Sequence, residues 1–425
     1  MKRLVLLATF AAGSTIVAGC SGGSNSVPAA PIANSPSAIA PAGASRMTDF
    51  QAGLASGRFA RVCAAAVAGE ASCHAIIRTD TGEGRSPQGK PGPGPGPVGA
   101  PAGFGPSQLQ GAYGLVGAPA PTVTVAVVDA YDNPNLEADL GVYRSQYGIP
   151  ACTTANGCFK KVGQTGTATL PTTNASWGQE TSLDVDMVSA NCPTCHILVV
   201  EANSPTSANL AAGVDTAVAL GAVAVGNSYG SAESAGESAY AASYNHPGVA
   251  ITASSGDAGY GAQSPASYNT IIATGGTSLT VSGTSYASET AWSGAGSGCS
   301  AYELQQSWQS GAPAAACAKR VIADVSYDAD PNTGVAVYDS FAYRRQSGWL
   351  VFGGTSVASP AIAAIYARGG NLAGYPAQYT YAHAAGLHDV IGGSNGTCSA
   401  TYLCNAVTGY DGPTGLGSPN GVTAF

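Results

Sequence analysis

Apolar and polar positions follow two rhythms along most of the chain. From about residue 106, short apolar runs bounded by turn residues recur: VTVAVVD (123–129), HILVVEA (196–202), AVAVGNS (222–228), VAITASS (249–255) and TIIATGG (270–276). Runs of this length, rich in small and β-branched residues, predict buried strands. Between them lie longer stretches with helical patterning, ETSLDVDMVSA (180–190) and SANLAAGVDTAVALG (207–221). Strands alternating with helices predict an α/β fold with a mainly parallel central sheet and helices on both faces. In such sheets, sites form where loops leave the carboxyl ends of strands, so polar residues at those ends are the first candidates for chemistry.

Upstream of residue 106 the pattern changes. The chain opens MKRLVLLATFAAGSTIVAGC, in which Lys2 and Arg3 precede an apolar stretch from Leu4 to Ala18. That stretch is too short to span a bilayer comfortably and reads as an export signal over residues 1–19. Its end, VAGC, resembles the bacterial lipobox, with cleavage after Gly19 and a diacylglyceryl group on Cys20. An ordinary signal peptide with a chance cysteine is the blander reading. Residues 20–45, rich in Ser, Pro, Ala and Gly, read as a tether. Residues 46–85 include FARVCAAAVAGEASCHAIIRTD, which looks like a small disulfide-closed unit. The Pro/Gly linker over 86–105 can form neither a helix nor an inner strand, and a domain boundary is expected there. The expected location is outside the cytoplasm, as an envelope lipoprotein or a secreted protein. Contact with a membrane is expected only through the N-terminal lipid.

Composition narrows the function. Of 425 residues, 9% are charged, 45% are apolar and 58 are glycine, which suits a compact fold of small residues. A formal charge of −8 lacks the basic surface that nucleic acid requires. The chain has 11 cysteines, and setting Cys20 aside leaves an even ten. They fall into sequence-local pairs: Cys63 with Cys73, Cys152 with Cys158, Cys192 with Cys195, Cys299 with Cys317, and Cys398 with Cys404. Spacing alone leaves connectivity open, but five short loops are the simplest pairing in an oxidising compartment. CPTCH (192–196) is formally a c-type haem attachment motif, but His196 opens a buried-strand pattern, which favours a structural reading.

The stretch GWLVFGGTSVASPAIAAIYA (348–367) places Ser356 at a strand-to-helix corner behind two glycines, with Pro360 expected in the first helical turn. Packing alone could explain a small residue there. A nucleophile would need a base, and none of the five histidines, at 74, 196, 246, 383 and 388, sits on a helix shortly after Asp129. Each reads as a structural or surface histidine. Carboxylates offer another base. Glu180 and Asp184 are four apart and share one face of their helix, while Asp186 lies on another side. Two close carboxyls cannot both ionise easily, so one proton is shared. Glu180 could then take the Ser356 proton with Asp184 holding it, and Asp129 could extend the network. Asp257 follows the strand VAITASS among glycines, and a buried protonated carboxyl there could donate to an oxyanion. Singly, each acid has a bland alternative: charge favoured at a helix N-terminus, or an Asx turn. The four together point to hydrolysis.

These motifs resemble the sedolisins, the serine-carboxyl peptidases. GGTSVASP is similar to their serine signature, ETSLD to their Glu-x-x-x-Asp helix and SSGDAG to their oxyanion loop, in family order over residues 106–425. The resemblance implies a subtilisin-like three-layer fold and hydrolysis of polypeptides in acid, as an endopeptidase or a tripeptide-releasing exopeptidase. Ser356 would be the nucleophile, Glu180 the base, Asp184 its partner and Asp257 the oxyanion donor. LHDVIGG and NAVTGYDGPTGLGSP resemble the family's calcium site. The implied ligands are the carboxylates of Asp389 and Asp411 and the carbonyls of Val390, Val407 and Gly409. A glycine-rich turn closed by Cys398 and Cys404 is the plain alternative. The chain departs from the family in its short propeptide-like segment and in carrying Tyr229–Gly230 where many members have Trp-Gly. A monomer is expected. The rival reading is a non-catalytic surface lipoprotein that keeps a peptidase fold.

Overall fold

All five apolar runs form strands of one eight-stranded sheet in the computed structural model, which describes residues 42–81, 101–311 and 313–425. The signal at 1–19, Cys20, most of the tether and most of the linker lie outside the described residues. At the centre of the sheet, Thr124–Ala130 is paired in parallel with both His196–Ala202 and Ala224–Asn227. Phe159–Gly163 extends one side, while Ala250–Ser254 and Ile272–Ser282 extend the other, all in parallel. Near-continuous apolar sequence fits strands covered on both faces. Ser285–Ala291 runs antiparallel to Ile272–Ser282, and its partly exposed residues suit its place at the sheet margin.

Glycines show how the helices take opposite faces. A Cβ at Gly213, in helix Ser207–Ala219, would lie 2.7 Å from Val128 Cγ1. A Cβ at Gly226, the register partner of Val127, would lie 3.2 Å from Pro360 Cα in helix Thr355–Gly369. Successive strand residues point to opposite faces, so the two helices cover opposite faces of the sheet. Pro360 is at the sixth helical position rather than in the first turn. It cannot donate to the Ser356 carbonyl, and the Ser228 hydroxyl does so instead at 3.4 Å. Helix Ala175–Asn191 is capped by Asn174, whose side chain accepts from the backbone of Ser176 and Trp177, and it is buried from Trp177 to Asn191.

Residues 42–81 are woven into this body, and the described residues form one compact unit. Helix Ala42–Ser56 overlaps the end of the expected tether. Strand Ile76–Arg78 lies between Phe59–Arg61 and Gln346–Gly353, antiparallel to both, and Ser72–Cys73 pairs with Tyr229–Gly230. Phe50, Phe59 and Ile76 share an apolar cluster with Trp292, Ala295 and Ala329. The five disulfides join the five sequence-local pairs. The Cys192–Cys195 bond occupies both sulfurs that haem attachment would need. Among the described residues, no helix is long and apolar enough to cross a membrane.

Candidate active site

Helix Ala175–Asn191 brings Glu180 and Asp184 onto one face, and the end of strand Thr124–Ala130 sets Asp129 beside them; all three are fully buried. Asp186 points elsewhere and accepts from the Tyr338 amide at 3.0 Å. Burial, and then the charge of Asp129, push Glu180 well above the ordinary carboxyl range. The nearby Ser356 hydroxyl and the Ala75 amide pull it back. Asp184 is raised by burial and by both neighbouring acids, and it accepts from the Ser228 hydroxyl at 2.8 Å. Burial lifts Asp129 to about 7 against the opposing Thr181 hydroxyl. Few charges can share so small a dry volume. The Ser356 hydroxyl and the Ala75 N–H, 3.0 Å from Oε2, both favour the ionised form of Glu180 against its burial.

Ser356 is the second residue of its helix, where free N–H groups favour developing negative charge. Its Oγ donates to the Ser228 carbonyl at 3.2 Å. Before it, Gly354 has φ 96°, a conformation that glycine takes readily. A Cβ there would strike the His74 carbonyl oxygen and lie 2.7 Å from Asp257 Oδ2.

Asp257 is oriented by Thr355, whose amide and hydroxyl both donate to Oδ1 at 2.8 Å. Oδ2 is buried and makes no hydrogen bond among the described residues. Burial raises Asp257 to about 6, opposed by the charge of Arg61 and the two Thr355 bonds. With Oδ1 committed as an acceptor, a proton on the carboxyl belongs on Oδ2, on the side of the His74 carbonyl.

Ser356, Glu180, Asp184, Asp257 and Asp129 therefore converge on one buried locus. Thr355, Ser228 and Thr181 complete it and were missed in the sequence, although Thr355 is adjacent to the serine in GGTS. Also missed was the arrival of His74 and Ala75. His74 is fully enclosed, with Nδ1 2.7 Å from Ser254 Oγ, and burial lowers it to about 3. It is a neutral occupant of the cleft, distinct from the base.

The C-terminal turns bring Asp389 and Asp411 together. Asp411 is fully buried and raised well above its ordinary range, by burial first and with the charge of Asp389 contributing. Asp389 accepts from the Gly409 amide, and Asp411 from the Val407 amide, each at 3.1 Å. No hydrogen bond among the described residues reaches the carbonyls of Val390, Val407 or Gly409. Two facing carboxylates and three free carbonyls are a hard-oxygen donor set that fits calcium. Among the described residues, no group of three or more His, Cys, Asp or Glu side chains could hold a metal.

Known proteins resemble this chain in sequence and in fold. Sedolisin from Pseudomonas sp. (strain 101) is 37% identical over 181 residues, 37% of this chain and 29% of that protein. Kumamolisin from Bacillus sp. (strain MN-32) is 29% identical over 364 residues, 76% of this chain and 63% of that protein. The chain thus spans less than two thirds of the length of these relatives. No family-level sequence model matches it. A solved structure of Pseudomonas sedolisin, a serine-carboxyl proteinase complexed with two molecules of pseudo-iodotyrostatin, superposes with a TM-score of 0.63 at 26% identity. That match covers 76% of this chain and 96% of the other. An α/β body, a serine at a glycine corner and a matching solved fold lead to one placement: the chain is similar to the sedolisins, the serine-carboxyl peptidases, and shares the fold of the Pseudomonas sedolisin structure.

Proposed function

We propose that the protein is a serine-type peptidase that cleaves polypeptides in acid. One observation carries the reading: the His74–Ala75 peptide group sits between the acids, its N–H on Glu180 Oε2 and its carbonyl beside Gly354 on the side of Asp257 Oδ2. A peptide bond seated in this way has a base at its nitrogen and a donor beside its oxygen. Ser356 Oγ attacks the carbonyl carbon and its proton passes to Glu180, while Asp257 donates from Oδ2 to the oxyanion. Glu180 then protonates the departing nitrogen, and water later releases the acyl group from Ser356. Asp184 and Asp129 stay protonated and leave the negative charge on Glu180. That state requires Asp257 to hold its proton and so confines activity to acid.

Calcium is proposed at the C-terminal turns, held by the carboxylates of Asp389 and Asp411 and the carbonyls of Val390, Val407 and Gly409. Its charge would offset the two facing acids and fix these loops. Export and lipidation at Cys20 remain proposals from the sequence. The deciding experiment is digestion of a denatured protein in acid, followed by peptide mapping. Ser356→Ala should abolish peptide release while leaving the fold intact; near-parental turnover would overturn the assignment.

A further inference from the structure

We propose that the His74–Ala75 bond is the reactive bond of a built-in, self-resealing inhibitor, with residues 72–78 lying in the cleft as a bound substrate. The inference rests on the peptidase reading above. Upstream of the bond, Ser72 and Cys73 pair with Gly230 and Tyr229, and the His74 amide donates to the Ser228 carbonyl at 3.1 Å. The Ala71 amide also donates to the Pro205 carbonyl at 2.8 Å. The imidazole fills a pocket that exists because residue 230 is glycine, since a Cβ there would lie 2.7 Å from His74 Cε1. Downstream, Ile76, Ile77 and Arg78 pair with Gly353, Phe352 and Val351.

The decisive feature is bracing across the bond. Phe59–Arg61 pairs with Ile76–Arg78, and the Val62 amide donates to the Ala75 carbonyl at 3.0 Å. Both contacts join the piece before the bond to the piece after it. The Cys63–Cys73 disulfide closes the frame by tying residue 73, next to the reactive bond, to the loop that follows Phe59–Arg61. In the forward step Ser356 Oγ bonds to the His74 carbonyl carbon and its proton passes to Glu180. The carbon–nitrogen bond breaks as Glu180 returns the proton to Ala75. The products are a Ser356–His74 ester and a free Ala75 amine. The frame holds that amine where it formed, so its attack on the ester retraces the step and needs no co-reactant. A positioned amine competes with water at a very high effective concentration. The cleft therefore stays filled.

The test uses the full chain in acid, quenched into denaturant for intact mass and N-terminal sequencing, with hydrolysis of an added fluorogenic peptide followed in parallel. The wild type should show a small, time-independent fraction beginning Ala-Ile-Ile-Arg, absent from Ser356→Ala, together with slow peptide hydrolysis. Cys63→Ser with Cys73→Ser should raise the ratio of cut to uncut chain by roughly 100-fold, the effect expected for releasing a ten-residue disulfide loop. Peptide hydrolysis should rise with it. Val62→Pro keeps the disulfide but removes the amide bond to Ala75, and should act in the same direction if the double variant fails to fold. Complete cutting of the wild type with full activity would overturn the proposal, as would no change in either folded variant. Ser356-dependent peptide hydrolysis with no Ala75 terminus would overturn resealing alone. No hydrolysis by any folded form would overturn the peptidase reading and this inference together.

Discussion

Asp257→Asn separates carboxyl from imidazole chemistry, and the geometry sets its outcome in advance. The Thr355 amide and hydroxyl both donate to Oδ1, so an asparagine must keep its carbonyl oxygen there and turn its amide nitrogen into the Oδ2 position. The variant thus offers the oxyanion an N–H that cannot ionise. In the parent, Asp257 is raised to about 6, so its donor form falls about tenfold per pH unit above that value. At pH 7 roughly one tenth of the acid-side kcat/KM should survive. In the variant the next group to intervene is Asp129, raised to about 7, whose charge would oppose the oxyanion. The alkaline limb should therefore move up by about one pH unit, leaving roughly half of the variant's own maximum at pH 7. Loss of an oxyanion donor outright costs about 10²–10³ in kcat, so Asp257→Ala should lose that much and Asp257→Asn less. The assay is kcat/KM on an added peptide from acid to neutral pH. An alkaline limb that stays near pH 6 in Asp257→Asn would refute the role of Asp257. An optimum near pH 8 with inhibition by histidine alkylation would refute the carboxyl base.

The fold should be most stable in acid. Burial raises Asp129 to about 7 and Glu201 and Asp339 to about 8, so their contribution is complete below the ordinary carboxyl range and is lost as pH rises through these values. His74, lowered to about 3, acts in the opposite sense below pH 6.5, but it is one group against several. Calorimetry with excess chelator should show Tm falling from about pH 5 to 8; a rise would contradict the buried neutral acids. Chelating calcium, or Asp411→Ala, should lower Tm, because an ion that binds only the native state stabilises it. An unchanged Tm would leave the plain turn. Cys20→Ser should release the protein from the membrane fraction and leave the precursor uncut at Gly19. Retention on membranes after a salt wash would exclude the lipobox.

The parts of the site that were legible in the sequence are those governed by local periodicity. VTVAVVD announced a strand whose last residue, Asp129, sits at its carboxyl end, and four-residue spacing put Glu180 and Asp184 on one helical face. Sequence-local cysteine spacing also anticipated all five pairs. What stayed hidden depends on non-local pairing. Nothing in FARVCAAAVAGEASCHAIIRTD announces that His74 meets Ser254, 180 residues later, or that Ala75 reaches Glu180. Short strands of two or three residues carry too little alternation to reveal a partner. The position of Pro360 was missed because a helix start shifts easily by a residue or two. Thr355 was passed over because its hydroxyl acts only through Asp257, a group far away in the chain.

The two strands that grip residues 72–78 recognise backbone before side chains. Tyr229–Ala232 and Gln346–Gly353 each present the main-chain groups of an edge, and any guest replacing the built-in segment must answer them in kind. Such a guest has to be fully drawn out over seven residues, roughly 23 Å at the reach of an extended chain. A helix cannot meet both edges, and neither can a folded domain with its own strands already paired. For the proposed peptidase, a cleft freed of its own segment would therefore sort polypeptides by shape, admitting extended chains and passing over folded ones.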